Sequence, residues 1–235
     1  MAGGALSAAR AAPAGGYLKR ALDVLLSAAA LVALSPLLAA VAVAVPLASP
    51  GPAFYRARRV GLNGREFTMF KFRTMHVHGG GAPITAEDDP RVFPLGRWLR
   101  KLKVDELPQL FNVLRGDMSI VGPRPEDPDI VARHYTDAYR ETLAVKPGLT
   151  SPGSVYYYAV GEETLQHGDA VDAYVERLLP VKIALDRVYV REASVPYDVS
   201  LILRTASVIL ARAAGRRRFP DPPELRRARE VYGFL

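Results

Sequence analysis

Two adjacent carboxylates, Asp105 and Glu106, stand directly after a strongly basic stretch and just before Pro108. The reference pKa of an aspartate is ~3.9, so at neutral pH Asp105 is ionised and equipped to act as a nucleophile or a metal ligand. Proline is tolerated in the first turn of a helix, where its missing N–H would have had no partner. Pro108 therefore predicts a helix start, with Asp105 at or beside the N-cap and Glu106 in the first turn. A carboxylate there is stabilised by the helix dipole, and the same unpaired N–H groups can hold a phosphate. Adjacent helical residues do not share a face, so either the cap geometry brings both carboxylates to one substrate, or one does chemistry while the other orients a base or metal. Read alone, Asp-Glu at a helix start is an ordinary capping choice. The accompanying cations Lys71, Arg73, Arg91, Arg100 and Arg124 turn the reading towards phosphate chemistry. Arg124 lies between two prolines in Gly122-Pro-Arg-Pro125, a stiff turn that loses little backbone entropy when it clamps an anion.

These residues need elements to position them. In Phe67–Met75, alternation puts Phe67, Met69, Lys71 and Arg73 on one side of a strand and Thr68, Phe70 and Phe72 on the other. His76 and His78, beside Gly79-Gly-Gly81, read as residues of a mobile loop over 76–89 and not as ligands. Leu95, Trp98, Leu99 and Leu102 fall at i, i+3, i+4 and i+7, and Arg97, Arg100, Lys101 and Lys103 fill the rest of that helix. Such a helix suits an anionic membrane face or a soluble core equally. A second helix repeats the pattern at Leu107, Leu110, Phe111 and Leu114, with Gly116 placed to end it. Further helices are expected over 129–144, 169–192 and 198–213. The last carries Arg204 and Arg212 and suits an interface better than a span.

From Ala21 to Ala48 the single charge is Asp23. As one straight helix this run reaches about 42 Å, longer than the ~30 Å hydrocarbon core, so a tilted span is conceivable. Ser35 and Pro36 break it: Pro36 has no N–H for the carbonyl of Val32, and the Ser35 hydroxyl is close enough to supply one. Lys19 and Arg20 precede the run and Arg56, Arg58 and Arg59 follow it, so both flanks read as cytoplasmic. A re-entrant helix-break-helix satisfies both observations. The apolar run is longer than the core of a signal peptide.

The net charge of +7 calls for an anionic partner, and the absence of cysteine excludes disulfides and thiolate metal sites. Together these readings give a mainly helical α+β protein. Residues 1–16 form a flexible tail and 17–50 a re-entrant membrane helix. Residues 51–213 form a small catalytic domain on the cytoplasmic face with interfacial amphipathic helices, and 214–235 a basic tail. Within that tail Gly215-Arg-Arg-Arg218 reads as solvated or bound to lipid headgroups. Nucleic acid is not expected, since no recognition motif accompanies the charge.

The ordered series of motifs resembles the small bacterial sugar transferases, the monotopic polyprenyl-phosphate phosphoglycosyl transferases. It comprises Lys19-Arg20-x-x-Asp23, Ser35-Pro36, Ser49-Pro-Gly-Pro52, Arg58-x-x-Gly61, Phe70-Lys-Phe-Arg-Thr-Met75 and Asp89-Pro-Arg91. It continues with Leu99-Arg-Lys101, Asp105-Glu-Leu-Pro-Gln109, Asn112-Val-Leu-Arg-Gly-Asp-Met-Ser119, Val121-Gly-Pro-Arg-Pro125 and Lys146-Pro-Gly-Leu-Thr150. The resemblance implies a re-entrant helix broken at Ser35-Pro36 in the bacterial inner membrane, with the catalytic domain on its cytoplasmic face. It implies that Asp105 attacks the sugar-bearing phosphorus of a nucleotide diphosphate sugar, UDP-linked by expectation, and passes the phosphosugar to polyprenyl phosphate. Mg²⁺ would bridge Asp105 and the diphosphate, Glu106 would act as partner or base, and Lys71, Arg100 and Arg124 match positions that hold phosphates or carboxylates. The alternative is a non-enzymatic, membrane-anchored basic protein that binds anionic lipid or nucleic acid. A homo-oligomer is left open. The chain departs from the family after Thr150: Ser151-Pro-Gly-Ser-Val-Tyr-Tyr-Tyr158 replaces the Gly-Trp-Ala-Gln-Val-Asn-Gly-Arg of many relatives, without its arginine. It also lacks the additional N-terminal membrane domain of larger relatives, which makes it resemble the minimal catalytic form.

Overall fold

The computed structural model describes residues 16–77, 89–161 and 170–232. The expected tail before residue 16, His78 and most of the 76–89 loop lie outside them. The fold is mainly helical α+β, as the composition of its segments implies, with two small sheets.

Helices α1 (Gly16–Ala33) and α2 (Ser35–Ala48) meet at a 64° bend. The cause is local. Pro36 leaves the Val32 carbonyl without its i+4 donor, and the Ser35 hydroxyl donates to that carbonyl at 2.8 Å. Among the described residues no single helix is long and apolar enough to cross a membrane, whereas the bent pair together is. The polar start of α1 is tied down. Lys19 pairs with Asp198 at 2.6 Å, Arg20 donates to the carbonyls of Val113 and Leu114, and buried Asp23 accepts from the Ser119 hydroxyl and the Ile120 N–H. The Lys-Arg-x-x-Asp motif, read from sequence as a charged flank, thus also bolts the helix pair to the rest of the molecule.

Strands β1 (Phe54–Val60) and β2 (Glu66–Phe72) form an antiparallel hairpin with Tyr55 opposite Lys71. Ala57, Phe67 and Met69 pack on Val113 and Met118, while Phe72 joins Val41, Val45, Phe93 and Leu99 beneath α2. Helix α3 (Pro94–Lys101) turns one side to the core and the other outward. Leu99 is buried in that cluster, while Trp98 is 63% exposed. Helix α4 (Gln109–Arg115) ends at Gly116, whose φ of 93° lets its N–H turn back to the carbonyls of Asn112 and Val113. Buried Asn112 clamps α4 to the outer edge of β2: its side chain accepts from the Phe70 N–H and donates to the Thr68 carbonyl and to Asp117. Asn112→Ala should lower stability by about 2–4 kcal/mol in denaturant unfolding, because two strand groups lose their partners. A loss under 1 kcal/mol would mean that water replaces the amide there.

Strand β3 (Ser119–Val121) pairs in parallel with β4 (Gly148–Thr150), and the intervening chain forms α5 (Pro128–His134) and two short turns where one helix over 129–144 was expected. Tyr135 is extended and Thr136 caps a new turn, which breaks the run. After α6 (Pro152–Tyr156), helix α7 (Leu179–Glu192) is buried on almost every side and forms the centre of the domain. Helix α8 (Val195–Ala213) follows it. The region expected to be a basic tail is in part folded. Helix α9 (Pro223–Tyr232) buries Leu225 and Ala228 against α7, and its Glu224, fully buried, pairs with Arg204 at 2.6 Å. Leu225 and Ala228 are spaced i, i+3 among charges, too thin an apolar stripe to read as a docking face.

Candidate active site

The carboxylate pair does not sit at the cap of a long helix. Val104–Glu106 form a single 3-10 turn, entered through Lys103 in the left-handed region (φ 57°) and followed by the seven-residue α4. A non-glycine residue held at positive φ costs of order 1 kcal/mol and persists where the surroundings over-determine it. The turn points Asp105 and Glu106, each 8% exposed, into a cavity of about 1170 Å³.

Glu106 is the most heavily partnered group in the site. Its Oε1 accepts from Arg124 Nη2 at 2.7 Å and from Lys71 Nζ at 3.3 Å, and its Oε2 accepts from Arg124 Nη1 and the Tyr158 hydroxyl, both at 3.2 Å. Burial would raise its pKa, but the Arg124 and Lys71 charges hold the carboxyl well below the usual carboxylate range. Asp105 has the opposite environment. Burial and the charge of Glu106 push its carboxyl up against Lys71, Lys103 and Arg100, and its buried Oδ1 has no hydrogen-bond partner among the described residues. Two neighbouring carboxylates are thereby driven apart: one is held as an anion, and the other is pushed up with an oxygen left unsatisfied. Lys71 is itself pulled down to about 8 by burial, despite the attraction of Glu106.

Of the cations singled out in the sequence, Lys71 and Arg124 converge on Glu106, and Arg100 lines the same cavity without an ion pair among the described residues. Arg73 and Arg91 reach the cavity wall but are engaged elsewhere. Arg73 is buried and donates to the main-chain carbonyls of Ser49, Pro52 and Met75 and to the Ser49 hydroxyl, which fastens the end of α2 to β2. Four of its N–H donors face protein, in place of the phosphate expected from the sequence. Arg91 is bracketed by Asp89 through Nε and Nη2. His76 contacts Ser49 and the edge of Phe93.

Tyr158 was missed. Its hydroxyl accepts from Arg124 at 3.0 Å and donates to Glu106, burial keeps it protonated, and Lys103 Nζ lies 3.9 Å from its ring centre. It belongs to the 151–158 segment that departs from the family pattern, and that departure was the available signal. Also missed was a buried cluster deeper in the cavity wall, where Lys182 and the Tyr174 hydroxyl both donate to Glu126. Close by, Asp186 accepts from the Gly153 N–H, and burial raises its carboxyl to about 6. Lys182 and Asp186, four apart and so on one face of the helix, were the trace of it.

No group of three or more His, Asp or Glu side chains able to hold a metal occurs among the described residues. A magnesium ion does not need one, since it is commonly held by one or two carboxylates plus substrate phosphates. The orphaned Oδ1 of Asp105 fits that kind of site.

Fold and site together define a mainly helical protein that presents an unsatisfied carboxylate, beside a cation-locked one, to a cavity lined by many cations. The chain belongs to the bacterial sugar transferase family, which it matches over residues 14–212. It is 37% identical over 198 residues to UDP-N-acetylgalactosamine-undecaprenyl-phosphate N-acetylgalactosaminephosphotransferase of Aeromonas hydrophila, covering 83% of this chain and 44% of that protein. It is 39% identical over 201 residues to UDP-glucose:undecaprenyl-phosphate glucose-1-phosphate transferase of Caulobacter vibrioides, covering 82% and 69%. Exopolysaccharide production protein ExoY of Sinorhizobium fredii is 36% identical over 214 residues, covering 84% and 87%. The chain spans less than half the length of several relatives it matches.

Proposed function

We propose that this protein transfers a sugar-1-phosphate from a UDP-sugar to undecaprenyl phosphate or a similar polyprenyl phosphate. The observation that carries the reading is the contrast between Asp105, buried with an unsatisfied oxygen, and Glu106, locked as an anion by Arg124 and Lys71. The names of the relatives supply the substrate classes. Asp105 attacks the sugar-bearing phosphorus, forming a carboxyl–phosphate bond and breaking the bond to the other phosphoryl group, so the nucleoside monophosphate leaves. An oxygen of the polyprenyl phosphate then attacks the same phosphorus and releases the Asp105 carboxylate, giving a lipid diphosphosugar. A covalent step divides one difficult transfer into two, and Lys71, Arg100 and Arg124 offset the charge of the transferring group. Glu106 keeps Lys71 and Arg124 aimed at it. Mg²⁺ bound through Asp105 would supply charge neutralisation at the diphosphate. The bent α1–α2 pair is read as re-entrant in the inner membrane, with the cavity on the cytoplasmic face.

The test is to incubate the purified chain with a panel of UDP-sugars and Mg²⁺ but no lipid. A phosphosugar mass gain on the protein, matched by release of UMP, is expected with one sugar. UMP release that requires polyprenyl phosphate, with no adduct, would overturn the covalent route. Because Lys71 loses its proton at about 8, transfer should fall above that pH, and Lys71→Arg should move that limb upward. An unmoved limb would exclude Lys71 as its origin.

A further inference from the structure

The run Gly215-Arg-Arg-Arg218, which the reaction above leaves unused, does not trail away from the site. Helix α8 ends in a tight cap: the Gly215 N–H donates to the Arg212 carbonyl, the Arg216 N–H reaches back to the Ala211 carbonyl, and Gly215 takes a φ of 95°. That cap turns the chain so that Arg216 and Arg217, both exposed, line the same cavity as Asp105. Arg97 and Lys101 of α3 are also exposed and also line it. Exposed residues that line a cavity form its rim, so these four cations, with exposed Arg56 of β1, stand on the rim, which takes a lipid phosphate or any comparable dianion.

The same two helices leave large apolar side chains uncovered. On α8 these are Val199, Leu203 and Leu210, which follow one helical stripe, with Leu203 65% and Leu210 68% exposed. On α3 it is Trp98, with Leu102 at the helix's C-cap. Helices α3 and α8 pack against each other. A site with cations at its rim and apolar stripes running out from it along both bordering helices matches a ligand with a phosphate head and a hydrocarbon tail. Resting on the transferase reading, we propose that the part of the cavity mouth bordered by α3 and α8 is the entry for the acceptor lipid. The phosphate of the polyprenyl phosphate binds Arg216 and Arg217, with Arg97 and Lys101 on the same rim, and its chain lies along Trp98 and the Leu203–Leu210 stripe. The donor then occupies the inner part of the cavity, around Lys71 and Arg124.

Trp98 is the chain's single tryptophan, so its fluorescence reports this path without turnover. Titrating the full chain in detergent with polyprenyl phosphate should shift Trp98 emission, and the Arg216→Ser/Arg217→Ser variant should need at least tenfold more lipid. The same variant should show a tenfold higher KM for polyprenyl phosphate, while its rate of phosphosugar adduct formation without lipid stays within twofold of the wild type. Leu210→Gln, at an exposed position that leaves the fold intact, should weaken binding of a long-chain polyprenyl phosphate and spare a two-isoprene phosphate. Unchanged lipid affinity in both variants would refute the site. An equal loss of adduct formation would reassign the arginines to the donor. If phosphatidylglycerol vesicles shift Trp98 and block transfer as strongly as polyprenyl phosphate competes, the arginines bind bulk headgroups and the proposal fails. Absence of any adduct in the wild type, with lipid binding intact, would instead refute the reaction and leave the lipid site standing.

Discussion

Asp105→Asn should abolish the phosphosugar adduct and lower overall transfer by at least about 10³-fold, the scale of losing a covalent nucleophile. The substitution changes little else in size. It also removes an anion that burial and Glu106 both disfavour, and the Oδ1 it replaces has no partner to lose. The variant should therefore be as stable as the parent or more so, with an unchanged or higher melting temperature. Dead chemistry in an equally stable protein is the signature of a reacting group. A structural cap would give the reverse, since loss of a capping carboxylate costs about 1 kcal/mol and leaves chemistry alone. Mass mapping of the wild-type adduct completes the test. Finding the phosphosugar on Glu106 would exchange the two roles, and an undiminished adduct in Asp105→Asn would end the assignment.

What could be read from the chain was what depends on covalent geometry. The break at Ser35-Pro36 follows from a missing N–H, and the end of α4 at Gly116 follows from a backbone that needs positive φ. The pair Asp105-Glu106 announced itself through Pro108 and the neighbouring cations, and the Lys71 and Arg124 contacts to Glu106 suit that reading. Other features depend on what tertiary packing brings near. Lys103 adopts a left-handed backbone that no lysine signals, and it replaces the predicted cap with a 3-10 turn. Arg73 alternates on the strand face with Lys71, yet it serves the carbonyls at the end of α2 because that is what lies within its reach. Tyr158 meets Glu106 from 52 residues away in sequence, a distance over which local pattern carries no information.

Arg124→Met should lower transfer at neutral pH by about 10²–10³-fold and move the whole pH profile to higher pH. The sign follows from three neighbours. Arg124 is the strongest charge opposing burial at Glu106, so without it burial prevails and the Glu106 carboxyl rises. The acid limb of the profile, which requires Glu106 as an anion, moves up with it. Arg124 also depresses the ammonium of Lys71, so its loss raises Lys71 from about 8 and carries the alkaline limb in the same direction. Part of the activity should return when the variant is assayed one to two units above the wild-type optimum. Arg124→Lys keeps the charge and should hold the acid limb near its wild-type place. It should still lose rate, because an ammonium cannot grip both Glu106 oxygens as the planar guanidinium does. A uniform drop in Arg124→Met with the profile unmoved would show that Arg124 acts on substrate alone and that Glu106 is held by other means.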